Sequence, residues 1–403
     1  MTPTDPTQTS PPSNAPAGPD PAASAKPAST ARLVGVDLAR ALAVFGMYVV
    51  HIGPPLDATT GVGTWVRFLA DGHSSVLFAT LAGFSLMLIA GRRVPKTGLA
   101  GRQAKIRIAI RAVILLALGS VLAIEHGDVI ILGFYGVYFL LALPLLRLSA
   151  RTLAITAAGL ALVTPQLAFV LKASMGESVQ SINAHDPLKA LNNVGVMDLL
   201  LTGLYPAITW MPFVIAGMAL ARLDLSAVAV QRRLTALGAT LTVAAYGISM
   251  LLAGTSAVFA TTGGASSGSE AGTSGSGSGK QLVSSASDLL GAGPHTGTTF
   301  DILGSVGVAI LVIVGTTVLI DRLPRLRRLA KPVIAVGTMS LTAYVGHFLA
   351  QSAWPTSAAG AAKSWMPVLT YILVAIVFAA VWSRFFRRGP LEYLLNTATR
   401  LAK

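Results

Sequence analysis

The feature that most constrains this chain is a succession of apolar stretches, each about as long as a bilayer is thick. They lie at residues 33–53, 73–91, 106–124, 129–146, 152–171, 204–221, 234–253, 298–320, 332–352 and 366–383. Each can cross the hydrocarbon layer, allowing for tilt. No water is available in that layer, so the backbone polar groups must pair within each segment, and helices satisfy this. The expected fold class is therefore all-α, a polytopic transmembrane bundle of about ten helices. The stretches at 129–146 and 204–221 are the weakest, the first being short and the second interrupted by Pro206 and Pro212.

The connections between the stretches alternate in charge. One set carries Arg92, Arg93, Lys96, Arg102 and Lys105, then Arg147 and Arg151, then Arg222, Arg232 and Arg233. It continues with Arg322, Arg325, Arg327, Arg328 and Lys331, and ends with Arg384, Arg387 and Arg388. The other set holds only Arg67, Lys172, Lys189, Lys280 and Lys363. Basic residues accumulate on the cytoplasmic side, so both chain ends are expected inside a multi-pass protein of the cell membrane. The net charge of +14 is accounted for by these flanks, without nucleic acid as a partner. Only 11% of residues are charged, against about a quarter in soluble chains, so much of the exterior must face lipid. The absence of cysteine excludes disulfides, thiolate metal sites and cysteine nucleophiles.

Residues 1–30, rich in Pro, Ala, Ser and Thr, read as a disordered cytoplasmic tail that lacks the apolar core of a signal peptide. Residues 31–392 read as one transmembrane unit, and 393–403 as a C-terminal cytoplasmic tail. Within that unit the outer connection 254–297 contains SSGSEAGTSGSGSGK, a flexible linker. Its GSGSGK is not a phosphate loop, because Ser274 stands where the first Gly belongs and Gln281 follows the Lys. The outer connection 172–203, with Asn192 and Asn193, has room for a short surface helix.

On this topology His51, His73, His126, His185, His295 and His347 all fall toward the outer face. That concentrates near one surface the side chains suited to proton transfer near neutral pH. In the first helix Asp37 and Arg40 are three residues apart and share a face. Arg40 and His51 are separated by a rise of about 16 Å and cannot touch. Glu125, His126 and Asp128 have a metal-like composition but sit in a very short loop, which favours solvated charges over a metal site.

Several segments carry a family likeness. ARALAVFGMYVVH has the Arg-x10-His pattern of acyltransferase-3 membrane proteins, and VLFATLAGF resembles their Phe-Phe-x-x-Ser-Gly-Phe segment with Ala82 in place of Ser. Arg107 and Arg111, at the basic start of the third stretch, match as well. GTMSLTAYVGH resembles their Ser-Tyr-x-x-Tyr-x-x-His helix in part, through Gly337, Ser340, Tyr344 and His347. RLVGVDLARALAV, DGHSSVLFATLAG, DVIILGFYGVYFLLALPLL, PHTGTTFDILGS and RGPLEY are more similar to bacterial YeiB-like proteins, relatives of heparan-α-glucosaminide N-acetyltransferase. The likeness runs from Arg32 to Glu392.

The resemblance implies transfer of an acyl group, commonly acetyl, from cytoplasmic acyl-CoA to a hydroxyl or amine of an extracytoplasmic glycan or lipid. Acyl-CoA would be a co-substrate, with no tightly bound cofactor and no metal. On this reading Arg40, Arg92, Arg93, Arg107 and Arg111 are the candidates for holding its phosphates. His51 is the expected catalytic base or acyl relay, with His347 as its partner. Asp71, His73, Tyr344, Ser340 and His295 are candidates for the acceptor site, with Asp301 a weaker one. One departure matters. The heparan-type enzyme carries its catalytic histidine in the loop before its second helix, whereas residues 54–70 here contain none. Phe78 and Gly83 read as packing residues. A transporter or flippase, or a non-catalytic membrane scaffold, remains the competing reading, and broken helices would favour transport.

Overall fold

A computed structural model describes residues 33–259, 285–354 and 364–401. The N-terminal tail, the Gly/Ser linker with Lys280, and Lys363 lie outside the described residues. From Val34 onward the described residues are mostly helical. The elements are α1 (Val34–Ile52), α2 (Val62–Ala70), α3 (His73–Ala90), α4 (Gly98–His126), α5 (Ile131–Ala142) and α6 (Ala150–Ser174). After the short α7 (Gly176–Ala184) and α8 (Pro187–Asn192) come α9 (Ala207–Ala221), α10 (Val228–Ala253) and α11 (Ser256–Phe259). The chain then forms α12 (Thr299–Arg322), α13 (Pro324–Leu329), α14 (Lys331–Thr338), α15 (Ser340–Ala353), α16 (Met366–Phe385) and α17 (Pro390–Ala398). No strand occurs among the described residues.

Seven of the apolar stretches become helices long and apolar enough to span a bilayer, and an eighth is the bent pair α14–α15. The two weakest stretches become the shorter helices Ile131–Arg147 and Ala207–Ala221. Residues 54–70, expected as a loop, differ in structure. VGTWVRFLA forms α2, which joins α3 in a span from Val62 to Ala90. The intervening Asp71-Gly72 reads as a turn, but Gly72 at φ +71° swivels the backbone without ending the span. Residues 393–403 begin inside α17, which packs on α15 and α4.

Burial separates inner from outer helices. The windows of α1 and α3 are 67% and 72% buried, whereas those of α10 and α16 are 17% and 11% buried. The exposed faces of the latter carry Val243, Leu251, Leu373, Val374 and Val377. Such a surface is stable against hydrocarbon and not against water. In hydrocarbon, helices associate through close packing and not through a hydrophobic drive. The α3–α9 crossing shows this. A Cβ on Gly83 would lie 1.9 Å from the Val214 carbonyl oxygen, and one on Gly217 would lie 1.8 Å from the Thr80 carbonyl oxygen. The two backbones therefore touch.

The 85° bend between α14 and α15 has two identifiable causes. Gly337 presses against α1, where a Cβ would lie 1.7 Å from the Asp37 carbonyl oxygen. Met339 then leaves helical geometry, and Glu392 of RGPLEY caps the restarted helix. Its Oε1 accepts from the Leu341 and Thr342 amides at 2.8 and 3.2 Å, and its Oε2 accepts from Thr342 Oγ1 at 2.6 Å. A carboxylate at a helix N-terminus satisfies orphan donors and complements the helix dipole, contributing about 1 kcal/mol.

Basic side chains gather at one end of the bundle. Arg222 reaches from the end of α9 to the carbonyls of Arg92 and Leu146, and Arg93 pairs with Asp224 at 2.7 Å. The connections after α3, α5 and α9 are thereby tied together. The expected surface helix in 172–203 is realised as α7 and α8. They are braced by Lys189–Asp198 at 2.8 Å, and Asn193 at φ +63° closes α8.

Candidate active site

The site is built where the end of α1 meets α15. His51 Nδ1 lies 3.0 Å from His347 Nε2, and the two rings stack at 5.3 Å with an interplanar angle of 10°. They are 296 residues apart in sequence. His347 is buried at 2% exposure, between Tyr48 and Phe348. Tyr48 Oη donates to the Ala343 carbonyl at 2.8 Å, which fixes α1 to α15. Phe348 also lies against the His51 and His126 rings. Gln351 Nε2 donates to the His51 carbonyl at 3.4 Å.

Arg67 completes this side of the site. From α2 its Nη1 donates to the Val49 and Val50 carbonyls at 2.7 and 2.8 Å. The Val50 carbonyl has no helical donor because Pro54 lies four residues on, and the Val49 carbonyl also accepts from the Gly53 amide at 3.0 Å. Arg67, His126 and His295 all lie within electrostatic reach of His51.

A second cluster adjoins the first. His73, the first residue of α3, places Nε2 2.8 Å from Tyr246 Oη, and Tyr246 Oη lies 3.3 Å from Ser305 Oγ. Ser305 Oγ donates to Asp301 Oδ1 at 3.1 Å, and the other Asp301 oxygen accepts from the Gly297 amide at 3.0 Å. The chain Asp301–Ser305–Tyr246–His73 thus links α12, α10 and α3 through polar groups in an otherwise apolar interior. His295 belongs to the same region, stacked on Trp210 at 5.8 Å and edge-on to Tyr205 at 5.4 Å. Its φ of +60° is unusual for a residue with a side chain and is the kind of strain held at functional sites. Burial pushes the His295 imidazole below its ordinary range, and nearby Asp71 opposes that shift. Asp71 is itself 1% exposed.

Five of the six histidines therefore converge. His185 is the exception, exposed in α7–α8 with Nδ1 2.9 Å from the Ser181 carbonyl. Tyr344 joins the cluster through its edge contact with His347, and its Oη accepts from the Ile131 amide at 3.2 Å. Ser340 sits at the bend, seven residues earlier on α15, and does not reach the pair. His126 lies 3.1 Å from Ser352 Oγ, which donates to Glu125 at 2.6 Å. Among the described residues no group of His, Asp and Glu could hold a metal ion.

The basic end holds a cavity of about 280 Å³ lined by Ile89, Lys96, Arg107, Arg111, Asn396, Thr399 and Arg400. Arg107 and Arg111 have buried Nε atoms without hydrogen-bond partners, and Arg388 lies within electrostatic reach of Arg111. None of the described residues that line the cavity is acidic. A buried guanidinium nitrogen without a partner is costly, and a cavity of this composition suits an anion. The other arginines singled out in the sequence are placed differently. Arg40 Nη1 pairs with Asp37 at 2.7 Å and its Nη2 donates to Ser85 at 2.8 Å. Arg93 is held by Asp224, and the Arg92 carbonyl by Arg222. Along α4, the rise from Arg111 to His126 is about 22 Å, so the cationic cavity and the histidines lie toward opposite ends.

A model of the heparan-alpha-glucosaminide N-acetyltransferase catalytic family matches residues 32–259, more than half of the chain. The chain belongs to that family. Residues 282–402 match a second model, described as a protein of unknown function (DUF418). The matched segments contribute one histidine each to the central pair, so the site is assembled across both. No curated protein matches the chain. Membership makes this a multi-pass membrane protein with a transmembrane acetyltransferase-like function.

Sequence reasoning singled out His51 and His347, which the fold brings together, but passed over Arg67, Tyr246 and Ser305. Arg67 stood out only as a lone charge among nearly uncharged connections. Tyr246 and Ser305 gave no signal beyond being polar in apolar helices.

Proposed function

We propose that this protein transfers an acetyl group from cytoplasmic acetyl-CoA to a hydroxyl or amine of an extracytoplasmic glycan or lipid. The observation that carries the reading is the direct contact of His51 with His347, in a chain whose other end holds an acid-free cationic cavity. Arg107, Arg111, Lys96 and Arg400 would bind CoA phosphates, and the pantetheine arm would extend into the bundle toward the histidines.

In this reading His51 Nδ1–H donates to His347 Nε2, leaving His51 Nε2 as the proton acceptor. The acceptor oxygen or nitrogen attacks the thioester carbonyl carbon and gives its proton to His51. As the tetrahedral intermediate collapses, the carbon–sulfur bond breaks and the protonated imidazole returns the proton to the CoA sulfur. Arg67 supplies positive charge on the side where the oxyanion forms. Asp71, His73 and His295 would orient the acceptor.

Purified protein is expected to release thiol from acetyl-CoA only when an acceptor is present, as read by thiol titration. No release with any envelope extract would reject the reading. One observation favours transport, because the α14–α15 break resembles the discontinuous helices of transporters. A transporter would move its substrate without thiol release.

A further inference from the structure

Helices α15 and α16 diverge beyond the bend and leave a groove of about 440 Å³ between them. It is almost entirely apolar. One wall is a lane of small residues on α15, including Gly346 and Ala350, and the facing wall carries Tyr371 and Ala375 of α16. Tyr48 and His347 also line it. Its volume lies within the range of pockets that hold ligands larger than a few atoms. The window of α16 is the least buried of the seven candidate spans, at 11%, so this wall of the groove lies on the apolar exterior that faces hydrocarbon. Its length follows α15, 14 residues or about 20 Å, comparable to one leaflet of a bilayer with a core about 30 Å thick.

Two facts decide what fills it. The groove is continuous with the histidine pair, because His347 forms part of its wall and His51 stands 3.0 Å behind. An acetyl group has two carbons and needs no such channel. Resting on the acyltransferase reading above, we propose that the groove seats the hydrocarbon chain of a lipid-anchored acceptor. The acceptor enters sideways from the bilayer and brings its polar head to the histidine pair.

The test uses the full-length protein in nanodiscs of synthetic phosphatidylcholine, with acetyl-CoA and two acceptor probes sharing one head group. These are dodecyl glucosaminide and methyl glucosaminide. The dodecyl probe is expected to have at least a tenfold higher kcat/KM. Gly346→Leu, or the milder Ala375→Leu on the lipid-facing helix, should bring the ratio of the two toward one. Equal use of both probes by the native protein, or a ratio that survives both substitutions in folded protein, would overturn the proposal. A photoreactive dodecyl probe gives a readout independent of turnover. It should label α15 and α16 peptides in native protein and lose that label in Gly346→Leu. Labelling without thiol release from either probe would reject the enzymatic reading while upholding chain binding in the groove. Release from both probes without labelling there would reject the groove alone.

Discussion

His51→Ala is expected to lower acetyl-CoA-dependent turnover by about 10²- to 10⁴-fold, the range a positioned general base supplies. The native fold should persist, because the ring lies at the end of α1 and leaves only a small space when removed. In the proposed mechanism His347 acts through His51, so its substitutions should separate by chemistry. His347→Gln retains a side-chain acceptor for the His51 Nδ1–H and should keep much of kcat. His347→Ala removes that acceptor and should lower kcat with little change in KM for acetyl-CoA. The double variant His51→Ala/His347→Ala should be about as slow as His51→Ala alone, since groups acting as a unit are not additive. Steady-state kinetics in detergent reads all four. Full turnover by His51→Ala would remove the base assignment.

The second large effect concerns the cationic cavity. Hydrogen bonds to charged groups contribute about 1.5–3 kcal/mol each, so Arg107→Ala and Arg111→Ala should each raise the KM for acetyl-CoA by about one to two orders of magnitude. The kcat at saturation should change little, because the reacting carbon lies near the other end of α4. Lysine at either position restores charge but not the bidentate fork, so rescue should be partial. Raising salt should mimic the substitutions in native protein, though less than for a fully exposed site. Unchanged KM in both variants would place the phosphates elsewhere.

Much of this architecture was legible in the sequence because the bilayer imposes strong rules. A segment of about 20 apolar residues in hydrocarbon has one solution, the helix. The alternating Arg-rich connections marked one end of the bundle, and the structure ties Arg92, Arg93 and Arg222 together there. His51 and His347 stood out because the topology puts the histidines toward one face and because both sit in segments that resemble acyltransferase-3 proteins. Details set by side-chain geometry were not legible. The bend at Met339 involves no proline. It depends on Gly337 meeting the Asp37 carbonyl and on Glu392, more than fifty residues further on, capping α15. Hydropathy records neither contact. The helix α2 was hidden by Asp71-Gly72, which reads as a turn. Nor could spacing reveal the Asp301–Ser305–Tyr246–His73 chain, since its members come from three helices with no local pattern beyond the i, i+4 pair on α12.

In the proposed reaction a donor bound at the basic end reacts through histidines reached from the other side of the membrane. Sealed proteoliposomes with uniformly oriented protein test this most directly, with labelled acetyl-CoA outside the basic face and acceptor enclosed in the lumen. Acetylated acceptor is expected in the lumen with native protein and not with His51→Ala. Acetylation confined to acceptor on the acetyl-CoA side, with the lumen unlabelled, would contradict the proposed reaction.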